Sequence, residues 1–410
     1  MTTLTDSELD SQLRTARAAL KSVGALGDHY AQLLLGLPDP YPVYAKMRRR
    51  GPLQRSRLGP YLVIGRDLAD SVLRDRRFGR RTVGGYWPQG TSTFDNSFLA
   101  MDPPEHTRLR KLVAPAFSAR RIQSLREIVE RACHELIDAM PPECDFLEAY
   151  AKRIPPAVIR ALFGIPAEHH ARFDELAAGL GLVLGGVVSL DEARRLQDSV
   201  DGMNELFAQL LELRRVEPAD DVVSLLVAAV DDERLAAAEL VAICGMLSLA
   251  GTETTVHLIG NGTLALLEHP EQFQLLRDDP GLAPRVVEEA LRFDTSVLMQ
   301  TRYAHEEVEL AGRTLPVDAN IVIFTGACNR DPDAFPDPDT FDLRRPAGPE
   351  GISFSSGIHY CLGAPLARLE GEIAFRTLAG RLPGLRLAGT AVRRPSPFIR
   401  GLTTFPVAVR

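Results

Sequence analysis

Ten residues near the C-terminal end carry the densest chemistry in the chain: Phe354-Ser355-Ser356-Gly357-Ile358-His359-Tyr360-Cys361-Leu362-Gly363. Cys361 stands just ahead of a predicted helix over Leu362–Leu382, in which Leu362, Leu366, Leu369 and Ile373 form an apolar stripe. Pro365 fits only in a first turn, and Pro383-Gly384 stops the helix. A cysteine at a helix N-terminus has its thiolate favoured by the dipole and the free amides. Gly357 and Gly363 lack a Cβ, so a large flat group has room to approach the backbone, and His359 adds a polar donor. The chain holds five cysteines, an odd number with no CxxC pair, which excludes a disulfide framework and a zinc ribbon. The other four, Cys133, Cys144, Cys244 and Cys328, read as buried small hydrophobes.

A second candidate is Ala250-Gly251-Thr252-Glu253-Thr254-Thr255, in the middle of an apolar helix predicted over about Leu235–Glu268. A glycine followed by threonines disfavours helix locally, and the Thr254 hydroxyl can turn onto the Ala250 carbonyl and loosen the ladder. An acid beside an alcohol in an apolar setting is a proton-delivery arrangement. A third is Glu288-Glu289-Ala290-Leu291-Arg292, where ExxR spacing puts Glu289 and Arg292 on one helical face. The same spacing at Glu105/Arg108, Glu192/Arg195 and Glu212/Arg215 reads as surface charge pairs. Only the copy at Glu289 sits among apolar positions, between Val287 and Phe293.

The elements that must hold these groups are mostly helical. From Glu105 to about Pro280 the pattern is helix, with Gly179–Gly186 a mobile connection. Strand signals lie at Leu53–Ser56 and Tyr61–Ile64, which flank Gly59-Pro60 as a hairpin, and at Val308–Leu310 and Asn320–Thr325. A short helix is expected over Asp39–Arg50, and a long loop over Arg81–Ala100. Residues 1–38 read as an arm, and 39–410 as one domain. The 410 residues are 45% hydrophobic and 25% charged with a net charge of −7, an ordinary globular balance that argues against bulk nucleic-acid binding. Met1–Arg14 has no signal-peptide pattern. The apolar runs Leu176–Leu190 and Leu240–Thr252 fall short of the ~17–20 residues of a membrane span. A cytoplasmic, thiol-reduced, membrane-free protein is the expectation, with a monomer as default.

The FxxGxHxC pattern, together with AGxETT, ExxR and Asp102-Pro103-Pro104-Glu105-His106-Thr107-Arg108-Leu109-Arg110, resembles the bacterial cytochrome P-450 family of haem-thiolate monooxygenases. The likeness runs from about Asp39 to the C-terminus. It implies a mainly α fold with small β-sheets (α+β), a single large haem-enclosing domain. It implies haem b with Cys361 as axial thiolate and metal ligand, Phe354 packed beside it, and Gly357 and Gly363 flanking it. His106, Arg110, Arg302 and His359 would neutralise the haem propionates. Ala250 and Gly251 would leave room for dioxygen, the co-substrate, while Glu253 and Thr254 would relay protons to it. Glu289 and Arg292 would brace the segment before the Cys loop. Ser355 stands where the family usually has glycine. Thr340 stands where many relatives carry the arginine that completes the brace, so that Arg344 or Arg345 would substitute.

The resemblance further implies oxidation of a lipophilic small molecule, such as a secondary metabolite or its precursor. Hydroxylation leads, with epoxidation or coupling left open. Electrons would come from a ferredoxin and a ferredoxin reductase, docked on a basic face drawn from Arg108, Lys111, Arg120, Arg344 and Arg345. The expected pocket lining is Tyr86, Trp87, Phe94, Ile243, Leu247, Val297, Leu298, Met299, Phe398 and Ile399, mostly apolar and without an acid. The Gly179–Gly186 connection would act as an entrance lid.

Overall fold

The computed structural model describes residues 6–86, 96–185, 187 and 189–409. Helix predominates, and its centre is one long segment. For the site, the helices that matter are α1 (Glu105–Val113), α2 (Ile154–Phe163), α3 (His170–Leu180), α4 (Leu182–Gly185), α5 (Ala237–Glu268), α6 (Ala283–Phe293) and α7 (Ala364–Arg381). The strands of the main sheet are β1 (Leu53–Arg55), β2 (Tyr61–Val63), β3 (Phe78–Gly79), β4 (Gln300–Ala304) and β5 (Asn320–Ile323).

α5 is apolar almost all round, so it can only be a core helix. Twenty-two of its residues are buried, against α2, α6 and α7 among others. It is long and apolar enough to cross a membrane by composition, but most of it lies inside the protein. Glu239 starts it by accepting the Ala236 N–H at 2.9 Å, which satisfies one of the free amides of the first turn. Three hydroxyls then bond back one turn: Ser248 to the Cys244 carbonyl, Thr252 to Ser248, and Thr254 to Ala250, at 2.8, 2.7 and 2.7 Å. Such bonds satisfy a polar side chain inside an apolar helix and loosen its ladder.

The main sheet runs β1-β2-β5-β4-β3, with β2 and β5 parallel and the other neighbours antiparallel. β1 and β2 form the hairpin expected from the sequence, with Leu53 opposite Val63. β4 has no clear alternation, because four of its five residues are buried. That is why Gln300–Ala304 was not legible as a strand. The N-terminal segment divides in two. The Asp6–Ala25 helix buries only Gly24. Asp28, by contrast, caps the next helix through the Ala31 N–H and accepts from Ser56 and Arg57, which ties residues 28–37 to the body. The glycine-rich stretch is no open connection: Gly179 and Leu180 end α3, and Leu182–Gly185 form α4.

Candidate active site around Cys361

Cys361 sits between a turn over Gly357–His359 and the start of α7. Its N–H donates to the Phe354 carbonyl at 2.8 Å, closing the loop. Two left-handed residues shape it, Ser355 at φ 64° and Gly357 at φ 66°. A Cβ on Gly357 would fall onto the Leu73 carbonyl, so this glycine serves the turn and its packing against residues 73–74. Gly363 has a negative φ, and a Cβ there would lie 4.0 Å from Cys361 Sγ and from Phe117. The loop's own packing thus accounts for Gly357, whereas a side chain at Gly363 would meet only ordinary contacts with the protein. Ser355 holds its positive φ without glycine's freedom, at a cost of about 1–2 kcal/mol.

The Cys361 side chain is accessible to solvent, although enough protein surrounds it for burial to dominate its thiol. Burial pushes its thiol up; the amides of Gly363 and Ala364 and the cations Arg110 and Arg368 pull the other way. The dipole argument thus does not win by itself, and a metal cation is what would hold a thiolate there. The remaining cysteines differ in kind. Burial raises Cys133 to about 12 and pushes up Cys244 and Cys328 as well, all three without surface access.

A cationic rim lies close by. α1 supplies His106 and Arg110, β4 supplies Arg302, and the Cys loop supplies His359. The His106 and His359 rings are 4.3 Å apart. Among the described residues, neither nitrogen of His106 has a hydrogen-bond partner, nor has Nε2 of His359. Burial lowers both rings, His106 to about 4 and His359 to about 3, with Arg302 adding to each. Arg302 is 2% exposed and is brought down to about 9 by burial and then by Arg80. Asp102 accepts the amides of Arg80 and Arg81 and, although burial opposes it, is held down to about 2. Its carboxylate is 3.9 Å from His359 and 3.8 Å from His305, beyond hydrogen-bond range. Orphaned imidazoles and a depressed arginine around one carboxylate describe a site built for further negative charge. The residues present therefore fit a dianionic group of the haem kind. Arg110 also donates to the Tyr360 carbonyl at 2.6 Å, which ties α1 to the Cys loop.

On α5, Ala250 is exposed and Thr254 partly so, although their neighbours are buried. Gly251 behaves differently from the expectation. A Cβ on it would approach Ile159 of α2 to 2.5 Å, so this glycine lets two helices pack closely and makes no room for oxygen. Glu253 shares no hydrogen bond with Thr254, its neighbour in sequence. Its Oε1 is engaged by His257 Nε2 at 3.1 Å and by Arg394. Burial would raise this carboxyl, but His257 and Arg394 outweigh it and keep it below the usual range. Arg394, the second partner after His257, was missed by sequence reasoning, and no local signal marks it.

The brace is complete. Glu289 and Arg292 are buried and paired at 2.7 Å, and Arg345 joins Glu289 at 3.1 Å. Thr340 takes part through its carbonyl, which accepts from both arginines. Arg345 is thus the third partner, and Arg344 is exposed. This removes Arg345 from the expected docking face. Arg108 pairs with Glu239 and donates to the Arg234 carbonyl but is exposed as well. Lys111, Arg120 and Arg344 stay exposed.

The expected pocket residues scatter. Trp87 and Phe94 lie outside the described residues. Tyr86 is 66% exposed. Ile243 and Leu247 are buried in the main core. Met299 packs with Tyr44 and Phe324 in a separate cluster, and Phe398 lies against that cluster. Leu298 contacts Gly326, next to Tyr44. Val297 and Ile399 face each other across a bridge that joins the two segments.

A helical fold around a loop-borne cysteine, a rim of arginines and histidines and a central helix carrying a threonine that bonds back one turn is what a haem-thiolate oxygenase requires. The comparisons agree. The cytochrome P-450 family model matches residues 281–379. The chain is 37% identical to the cytochrome P-450 monooxygenase PikC of Streptomyces venezuelae, over 97% of this chain and 96% of that protein. It is equally identical to the 6-deoxyerythronolide B hydroxylase of Saccharopolyspora erythraea, over 90% and 96%. The solved structure of CalO2 superposes with a TM-score of 0.85 at 32% identity, covering 91% of this chain and 96% of that one. This chain belongs to the cytochrome P-450 family, and it is a monooxygenase of the haem-thiolate kind that uses dioxygen.

Proposed function

We propose that this enzyme hydroxylates a lipophilic small molecule, a secondary metabolite or its precursor, with electrons from a ferredoxin and its reductase. Epoxidation and coupling are the alternative outcomes of the same chemistry. The observation that carries the site assignment is the orphaned His106 and His359 rings beside buried Arg302, within reach of the loop that presents Cys361. Cys361 would hold the haem iron through its thiolate, with His106, Arg110, Arg302 and His359 on the propionates and Phe354 shielding the sulfur. When bound, the haem supplies dioxygen activation and oxygen transfer to carbon. Ala250, with its small side chain, keeps the facing surface of α5 open. Thr254 donates to the Ala250 carbonyl, which leaves its oxygen lone pairs free to accept a proton from water and pass its own inward. Glu253 would replenish that proton, by a bridging water or by swinging from His257 and Arg394.

The names of the relatives support the substrate class. PikC, the 6-deoxyerythronolide B hydroxylase and a polyketide-biosynthesis P-450 of Bacillus subtilis are all similar to this chain. A cytoplasmic monomer that docks an acidic ferredoxin on Lys111, Arg120 and Arg344 completes the proposal.

The test is spectroscopic. Reduced protein with carbon monoxide is expected to show the red-shifted Soret band of thiolate ligation, lost in Cys361→Ser. Survival of the band in that variant overturns the assignment. Thr254→Ala is expected to keep the band while releasing peroxide in place of product; tight coupling in it removes Thr254 from the proton path.

A further inference from the structure

We propose that Arg394 is a latch that ties the acid of the proton path to the α3–α4 link, so that the position of the link decides whether Glu253 is held away from Thr254. The proposal deepens the reading of Glu253 above and rests on it.

Arg394 extends from the C-terminal hairpin, where Val392–Arg393 pair with Leu402–Thr404 and the Arg394 N–H donates to the Gly401 carbonyl at 3.0 Å. One guanidinium makes two kinds of contact from this fixed support. Its Nη1 engages Glu253 Oε1, and its Nη2 donates to the Gly181 carbonyl at 3.3 Å, between α3 and α4. The same hairpin also fixes the acid's other partner: the His257 ring lies so close to Gly401 that no side chain fits there. His257 reaches Glu253 from one turn further along α5, so the carboxylate is gripped on two sides.

The glycines of the link now have a reason. A Cβ on Gly185 would come within 2.5 Å of the Arg394 guanidinium, and one on Gly181 within 3.1 Å of Glu253 Oε2. Arg394 and Glu253 occupy the space that side chains would need. A second tie, from Ser396 Oγ to the Leu184 carbonyl at 3.2 Å, fastens the link to the hairpin without touching Glu253.

The gripped carboxylate also has its own solvent side. Thr252, Glu253, His257 and Arg394 line a polar cleft of about 770 Å³ that continues past Arg195 and Asp174. Neither Thr254 nor Cys361 lines it. Protons thus reach Glu253 from the cleft, and the latched acid faces the cleft rather than Thr254. When the link moves, Arg394 loses its Gly181 anchor and the grip on Glu253 weakens with it. Because one group holds both ends, the coupling must be reciprocal: weakening the Glu253 end must loosen the link.

Reciprocity is the test, read by hydrogen exchange of the amides of 181–185 in the haem-loaded full-length resting enzyme. Glu253→Gln keeps the shape and removes the charge, and these amides are expected to exchange about tenfold faster. Arg394→Met should do the same. Ser396→Ala, which loosens the link alone, should shift the share of oxygen released as peroxide in the same direction as Arg394→Met. If Glu253→Gln leaves exchange over 181–185 unchanged while Arg394→Met speeds it, Arg394 is an anchor of the link only and the latch is refuted. Unchanged exchange in both variants, or unaltered peroxide release in Ser396→Ala, refutes it as well. The carbon-monoxide band of each variant reports loading and fold. Failure of the haem-thiolate assignment would appear there, in the wild type, independently of the exchange result.

Discussion

Glu370 is a buried carboxyl that folding disfavours as the pH rises. It lies in α7 with 1% of its surface exposed, and its Oε2 has no hydrogen-bond partner. Burial alone drives its carboxyl well above the ordinary 4.5, with no cation opposing it. In the folded protein the group therefore holds its proton to a higher pH than in the unfolded chain, where it ionises above about 4.5. The sign follows from that difference. Below about pH 4.5 both states hold the proton, and Glu370 exacts no penalty. As the pH rises, only the unfolded state gains by ionising, and stability falls by about 1.4 kcal/mol per unit up to the folded pKa. Glu370→Gln retains the volume and cannot ionise. Its amide brings a buried donor that costs about 1–3 kcal/mol, but that offset does not vary with pH. The diagnostic quantity is thus a slope. Urea unfolding of both proteins at equal haem saturation, at pH 5, 6, 7 and 8, cancels the cofactor's contribution to the difference. The variant should gain on the wild type as the pH rises above about 4.5, by at most about 1.4 kcal/mol per unit. A difference that stays flat across this range means that the folded carboxyl is ionised or partnered, and the reasoning is wrong.

Two further outcomes follow from the site. Arg345→Ala should cost about 3–5 kcal/mol in thermal or urea unfolding, because it strips one partner from buried Glu289, while Arg344→Ala on the exposed neighbour should stay within about 0.5 kcal/mol. Equal effects would mean that the brace does not depend on Arg345. Gly251→Ala should destabilise by about 1 kcal/mol through the Ile159 contact, yet become stabilising by a similar amount in an Ile159→Val background, where alanine's helix preference is no longer opposed. Additive effects in that double-mutant cycle would rule out the contact.

What the sequence revealed and what it hid divide along one physical line. The Cys loop, the start of α7, the long α5 and the Glu289–Arg292 pair are local: each needs particular residues within a turn or two, so spacing alone exposes them. Facing is not local. Gly251 was read as room for oxygen because it neighbours Ala250, but consecutive residues on a helix point about 100° apart, and Gly251 points at Ile159. The facing of Met299 was equally hidden: β4 is buried on both faces, so no alternation shows which side its flanking residues take, and Met299 packs with Tyr44 and Phe324. Arg394 was invisible for a stronger reason. It stands 141 residues from Glu253, in a hairpin whose register sets its reach, and one basic residue in a run of arginines carries no pattern. Yet it decides how the acid is oriented. A motif such as AGxETT therefore reports which groups are present for proton transfer, whereas the direction in which they face is set by distant segments such as the Arg394 hairpin. That is why Glu253, adjacent to Thr254 in sequence, is held toward the polar cleft and shares no hydrogen bond with it.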